Sequence, residues 1–192
     1  MIKATGALLA FLLSAAPVFS AGLPKVLIKT PLGGITVEID SAKAPMTAAN
    51  FLKYVDAGNY NGSVFHRTVT LANQKPEEVK IEVIQGGYFE SEESLPAISL
   101  ERTSKTGVRH TDGAISMARS GPDTATSSFF ICIGDQPELD FGGQRNKDGQ
   151  GFAAFGRVVA GMDVVRKIHQ SPCEGQTLKP AIKILSIVRI GD

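Results

Sequence analysis

A mainly β protein, with an antiparallel sheet closed into a barrel or sandwich and two helices beside it, is the fold the sequence predicts. Three observations carry that expectation. Six or more short runs of β-branched and aromatic residues are punctuated by Gly or Pro, only two stretches show helical spacing, and strands do not alternate with helices as a parallel doubly wound sheet would require. The composition of the 192 residues, 43% hydrophobic and 20% charged with 20 Gly and 10 Pro, is that of a globular protein and excludes collagen, coiled coil and disorder. One domain over residues 21–192 is expected, since a chain of about 150 residues already hides roughly 70% of its unfolded surface.

The first twenty residues stand apart. Lys3 precedes an apolar run from Ala7 to Ala16, and Pro17-Val18-Phe19-Ser20 leads to Ala21, the pattern of a secretory signal peptide cleaved after Ser20. The run is shorter than the roughly 20 apolar residues of a transmembrane helix, so no stable membrane insertion is expected. Without Lys3, the balance of 20 Lys+Arg and 19 Asp+Glu becomes zero, which gives no bulk attraction to nucleic acid.

The mature chain opens with alternating Val26, Ile28 and then Ile35, Val37, Ile39 around Pro31-Leu32-Gly33-Gly34, a hairpin. Pro45 starts a helix whose apolar positions Ala48, Phe51, Leu52 and Val55 share a face, and Gly58-Asn59 stops it. Strands are read at Val64–Arg67, Ile81–Gln85, Ala114–Met117, Phe129–Ile133, Phe152–Val159 and Ile182–Ile190. A second helix at Met162–His169 has Asp163 near its start and Arg166, Lys167 and His169 near its end, as the helix dipole favours. Two stretches, Thr68–Lys80 and Gln136–Gly151, read as long loops of the kind that carry function.

Weaker patterns yield to simpler readings. Gly149-Gln150-Gly151-Phe152-Ala153-Ala154 matches a nucleotide fingerprint but lacks the preceding strand and following helix, so it reads as a turn entering a strand. Asn61-Gly62-Ser63 is a formal glycosylation acceptor better explained as a turn. There is no Gly-x-Ser-x-Gly elbow, and only His66, His110 and His169 could serve a hydrolase. Cys132 sits in an apolar strand and Cys173 in a loop, so both are expected as free thiols. No paired Cys or His spacing suggests zinc.

The informative blocks are Tyr60-Asn61-Gly62-Ser63-Val64-Phe65-His66-Arg67, Val83-Ile84-Gln85-Gly86-Gly87, Gly113-Ala114-Ile115-Ser116-Met117-Ala118-Arg119 and Ser127-Ser128-Phe129-Phe130-Ile131. Their order and spacing resemble the cyclophilin family of peptidyl-prolyl cis/trans isomerases; with the N-terminal signal pattern, an exported, bacterial-like form acting in the periplasm is expected. The resemblance spans the mature chain. It implies a closed eight-stranded antiparallel barrel capped by two α-helices, a monomer that needs no cofactor, and proline-containing polypeptides as partners. It further implies that Arg67 is the catalytic arginine, with His66 beside it and Gln85 holding the peptide. Phe130, Leu139 and Val83 match the walls of the proline pocket, Phe152 stands where the family has His or Tyr, and Ala118 and Arg119 match the strand that receives substrate.

Chemistry explains the residue types. Amide resonance sets a rotation barrier of about 18–20 kcal/mol, and twisting the bond leaves a lone pair on the prolyl nitrogen that a guanidinium can bind. Four departures bear on this: an insertion between Arg67 and Gln85, Glu82 nearest to a familiar aromatic, Glu138 where Trp or Phe is common, and Ser128 in place of Gln. These leave a second reading, a proline-peptide binding or chaperone module with weak isomerase activity. A third, an exported hydrolase, rests only on the presence of Ser and His.

Overall fold

The structure, a computed structural model, describes residues 22–87 and 95–191; the signal reading over 1–20 lies outside them. The strands are β1 (Lys25–Thr30), β2 (Gly33–Ile39), β3 (Val64–Val69), β4 (Val83–Gly87), β5 (Ala114–Met117), β6 (Phe129–Cys132), β7 (Ala153–Ala160), β8 (Cys173–Glu174), β9 (Thr177–Lys183) and β10 (Ser186–Ile190). The helices are α1 (Pro45–Asp56), α2 (Thr103–Thr106) and α3 (Met162–His169). All pairings are antiparallel, in the order β10-β1-β2-β7-β5-β6-β4-β3-β9-β8.

Two expectations are corrected here. Among the described residues the ladder does not close, and it has ten strands where eight closed on themselves are expected. The predicted strand Ile182–Ile190 is two: Ile184 still bonds Ser63 beside β3, whereas Leu185 donates to the Lys29 carbonyl on β1. The alternation slips where the partner changes, with buried Ile184 followed three residues later by buried Ile187. Cys173–Glu174 and Thr177–Lys183 form a further hairpin, and α2, a single turn ended by Gly107 at φ +71°, is too short to show a period.

Two apolar layers result. Period-two alternation sends Phe65, Ile84, Ile115, Met117, Phe129 and Ile131 to the inner face, where α1 and α3 cover them. Phe51, Tyr60, Phe129 and Phe155 meet there with ring centres 5.1–5.6 Å apart. Val69, Val83, Ala114, Phe130 and Cys132 face outward under Ile81 and Leu139, and form a second, smaller core. Strands covered on both sides read as unbroken apolar runs, which is why Phe129–Cys132 has no polar member. The start of α1, which has no acidic first turn, is met by Glu101, whose carboxylate accepts from the amides of Thr47 at 2.7 Å and Met46 at 3.2 Å. Among the described residues no helix is long and apolar enough to cross a membrane.

Both cysteines are free, Cys132 buried on β6 and Cys173 exposed on β8. Three strands separate them, four steps of about 4.8 Å against the roughly 4.4–6.8 Å that a bridge allows between Cα atoms. Burial also pushes the Cys132 thiol well above its usual pKa, with Asp140, Asp112 and Asp135 adding to the effect. One thiol is therefore expected to react with Ellman's reagent in the native protein and two after unfolding. An absent native reaction would contradict the exposure of Cys173.

Candidate active site

On the outer face of β3, β4, β5 and β6 lies a cavity of about 210 Å³ lined by Arg67, Ile81, Val83, Gln85, Ala118, Arg119, Phe130, Leu139, Arg145, Asn146 and Phe152. Every site residue expected from the sequence lies on it except His66. The exception has a local cause. In the β3–β4 ladder Phe65 faces Gly86 and Arg67 faces Gln85, so His66 is one residue more than the register needs, a β-bulge. The bulge breaks the alternation after Phe65, whose ring fills the inner core, and turns Arg67 outward onto the cavity. His66 is displaced from the cavity, and burial followed by the adjacent Arg67 charge lowers its pKa, so it is neutral at pH 7 and adds no second charge.

The Arg67 guanidinium is held by amide oxygens alone. Its Nη1 donates to Gln85 Oε1 at 2.9 Å, while Nε and Nη2 donate to Gln176 Oε1, Nε at 2.9 Å. Burial, and then the nearby Arg145 charge, push its pKa down against the opposing pull of Glu78, but a guanidinium remains protonated. The result is a fixed, poorly solvated cation with no carboxylate bonded to it among the described residues. Gln176 is absent from the residues expected of the site: it follows Gly175, at φ +58°, in the tight turn of the β8–β9 hairpin, and the Gly175-Gln176 turn is its only signal in the sequence.

The apolar floor is built from rings. Phe130 and Phe152 meet edge to face with centres 5.3 Å apart, and Arg119 lies over Phe152 at 5.1 Å from the ring centre. Arg119 is spoken for: its Nη1 and Nη2 donate to Asp148 at 2.8 and 2.9 Å, and its Nε to the Gly151 carbonyl at 2.8 Å. Those bonds hold the Asp148 carboxyl down at about pKa 2. Ile81, two residues before Val83 and therefore on the same face, supplies the wall that the sequence assigns to Glu82. Glu82 points the other way, toward His169 at 3.9 Å. Glu138 likewise does not line the cavity; it accepts from the Gln144 amide at 2.8 Å.

Behind Phe130 is a buried polar chain. His110 stacks on the ring, centres 5.9 Å apart and planes 13° off parallel, with Asp140 Oδ1 2.8 Å from its Nδ1 and Ser116 Oγ 3.0 Å from its Nε2. An ionised carboxylate only accepts, so Nδ1 donates to Asp140, and Nε2 bonds the Ser116 hydroxyl. This order of groups is that of a hydrolytic triad, but Ser116 is 0% exposed on β5, so no substrate can reach its oxygen. Its geometry fits a brace for the pocket wall. Among the described residues no cluster of His, Cys, Asp or Glu is placed to hold a metal ion.

Residues 25–189 match the family model described as cyclophilin type peptidyl-prolyl cis-trans isomerase. The chain belongs to that family. Among the cyclophilins similar to it, a peptidyl-prolyl cis-trans isomerase of Acinetobacter baylyi is 37% identical, covering 83% of this chain and 82% of its own. Peptidyl-prolyl cis-trans isomerase A of Dickeya dadantii is 40% identical over 78% of this chain and 73% of its own. A solved cyclophilin-type isomerase of Cryptosporidium parvum, crystallised in the presence of the dipeptide Ala-Pro, shares the fold with a TM-score of 0.69 at 23% identity, covering 88% of this chain and 99% of that one. The four sequence blocks that carry the resemblance supply much of the cavity lining.

Proposed function

We propose that this cyclophilin isomerises X-Pro bonds in proteins folding outside the cytoplasm, with Arg67 stabilising the twisted prolyl amide. The observation that carries the reading is the Arg67 guanidinium, fixed by two neutral glutamines at the rim of a cavity with an apolar floor. An apolar cavity of about 150 Å³ accepts benzene, so one of about 210 Å³ has room for the smaller pyrrolidine ring against Phe130, Leu139, Val83 and Ile81. Planar amide nitrogen has its lone pair tied up in resonance and offers little to a donor; the twisted nitrogen offers a full lone pair. A preorganised cation therefore binds the transition state better than the ground state, which is the condition for catalysis. Of the five N–H groups of Arg67, two make no bond to the described protein, so a donor remains for that nitrogen. Gln85 fixes the guanidinium from the β4 side, and Ala118 offers backbone beside the cavity for the peptide.

The reaction forms and breaks no covalent bond, so none of these steps calls for a nucleophile, a metal or a redox group. Export rests on Lys3 and the apolar run Ala7–Ala16, and makes the protein a monomeric folding helper of the periplasm beginning at Ala21. NMR exchange on a short X-Pro peptide, with N-terminal sequencing of the secreted protein, tests both parts. Exchange no faster than in buffer would reject the isomerase, and Met1 retained would reject the export. Glu82 and Glu138, two of the departures behind the reading as a binding module, both lie off the cavity lining.

A further inference from the structure

The cavity carries more positive charge than isomerisation requires. Three guanidiniums, Arg67, Arg119 and Arg145, line it, and among the described residues no carboxylate does. Arg119 is neutralised by its two bonds to Asp148. Arg145 has no carboxylate hydrogen-bonded to it among the described residues: its Nη1 donates to Gln74 Oε1 at 3.0 Å and the Val79 carbonyl at 2.7 Å, and it pairs with the Glu78 carboxylate only at 3.8 Å. Its Nε and Nη2 protons have no acceptor among the described residues.

Two departures from the family pattern converge on this side chain. The insertion between Arg67 and Gln85 contributes Gln74, Glu78 and Val79, and Gln74 is itself fixed, its Nε2 donating to the carbonyls of Thr70 and Ile81 at 2.7 and 2.9 Å. Glu138 shapes the other loop, its backbone carbonyl accepting from the Arg145 amide and its carboxylate from the Gln144 amide. Gly143 lies so close to Glu138 that a Cβ there would fall 2.4 Å from its carbonyl oxygen. Arg145 is thus positioned by structure from two loops, and its charge acts on Arg67.

We infer that Arg145 makes the site select peptides with a carboxylate side chain next to the isomerising proline. The inference rests on the isomerase reading above. A guanidinium with free N–H groups meets a carboxylate through charge-assisted hydrogen bonds that the isosteric amide cannot equal, and repels an ammonium. The substrate class is acidic proline segments.

The test compares kcat/KM for Glu-Pro, Gln-Pro and Lys-Pro peptides and for the corresponding Pro-Glu, Pro-Gln and Pro-Lys series. The wild type is expected to prefer Glu over Gln about tenfold in one of the two series, equivalent to about 1.4 kcal/mol, with the preference falling as salt is raised. Arg145→Gln should bring the ratio near one and Arg145→Glu should favour Lys. A wild-type ratio of one in both series overturns the inference, as does a preference that Arg145→Gln leaves intact. If no peptide is turned over, it is the isomerase reading that fails. The Glu-to-Gln ratio is then measured in peptide Kd, where a tenfold preference lost in Arg145→Gln supports the selectivity and a ratio of one overturns it.

Discussion

Arg67→Ala is expected to lose about a hundredfold to a thousandfold in kcat/KM on an X-Pro peptide, the effect of removing one preorganised donor worth about 2.7–4 kcal/mol, while the protein stays folded. The side chain stands on the rim of an open cavity and its partners are two amides, so truncation opens no void in the inner core and strands no charge. Arg67→Lys should recover little, because an ammonium on a flexible stem cannot bond Gln85 and Gln176 together and still face the substrate. Gln176→Ala should fall between. It leaves Arg67 charged and tied to Gln85 but free to swing, at a cost of the order of the ~1.5–3 kcal/mol of a hydrogen bond to a charged group, or roughly ten- to a hundredfold. Circular dichroism and thermal melting belong beside the kinetics. A folded Arg67→Ala protein of undiminished activity rejects the mechanism, and a wild type that binds proline peptides without turning them over returns the binding module.

What is legible in the sequence and what is not divides along physical lines. Strands and helices with a strong period are legible: β1, β2, α1 and α3 fall where alternation or helical spacing places them, because a face that must be buried writes its period into the chain. The cavity lining is legible for a different reason, since Arg67, Gln85 and Phe130 sit in blocks whose joint order is specific to the cyclophilin pattern. Gln176, Arg145 and Ile81 are not. Gln176 belongs to a hairpin with a two-residue strand, and Arg145 to a loop of Gly, Asp and Asn without any period. Their roles depend on partners far away in the chain, 109 residues for Gln176 with Arg67 and 71 for Arg145 with Gln74, and no local signal encodes such a meeting. The bulge at His66 is hidden too, because an extra residue in one strand becomes visible only against the neighbouring strand. The sequence reading of Glu82 as the aromatic's equivalent does not hold at the cavity, where the apolar side chain at that wall is Ile81.

The largest stability effect is expected at His110→Ala. The imidazole is fully buried, bridges Asp140 to Ser116, and backs both Phe130 and Phe152, with ring centres 5.9 and 6.5 Å away. Removing it leaves a cavity in the outer core and deprives Asp140 and Ser116 of a partner each, so the loss should be about 3–5 kcal/mol. At roughly 2–4 °C per kcal/mol for a chain of this size, melting should fall by about 6–20 °C. The pH dependence should change with it. Burial raises the Asp140 pKa, but the electrostatic pull and hydrogen bonds of His110, with a hydrogen bond from Arg109, outweigh it and leave the carboxyl below its usual value. A depressed folded pKa stabilises the protein above the unfolded value of about 3.9, and that contribution disappears as the pH falls through the folded pKa. His110→Ala should flatten this acid limb of urea stability while lowering the plateau at pH 7. The kinetic signature should differ from that of Arg67. Phe130 and Phe152 lose their backing and grip the ring less well, whereas Gln85 and Gln176 still hold the guanidinium, so KM should rise more than kcat falls. An unchanged urea midpoint would mean that the outer core closes over the missing ring, and a collapse of kcat at constant KM would place His110 in the chemistry instead of behind the wall.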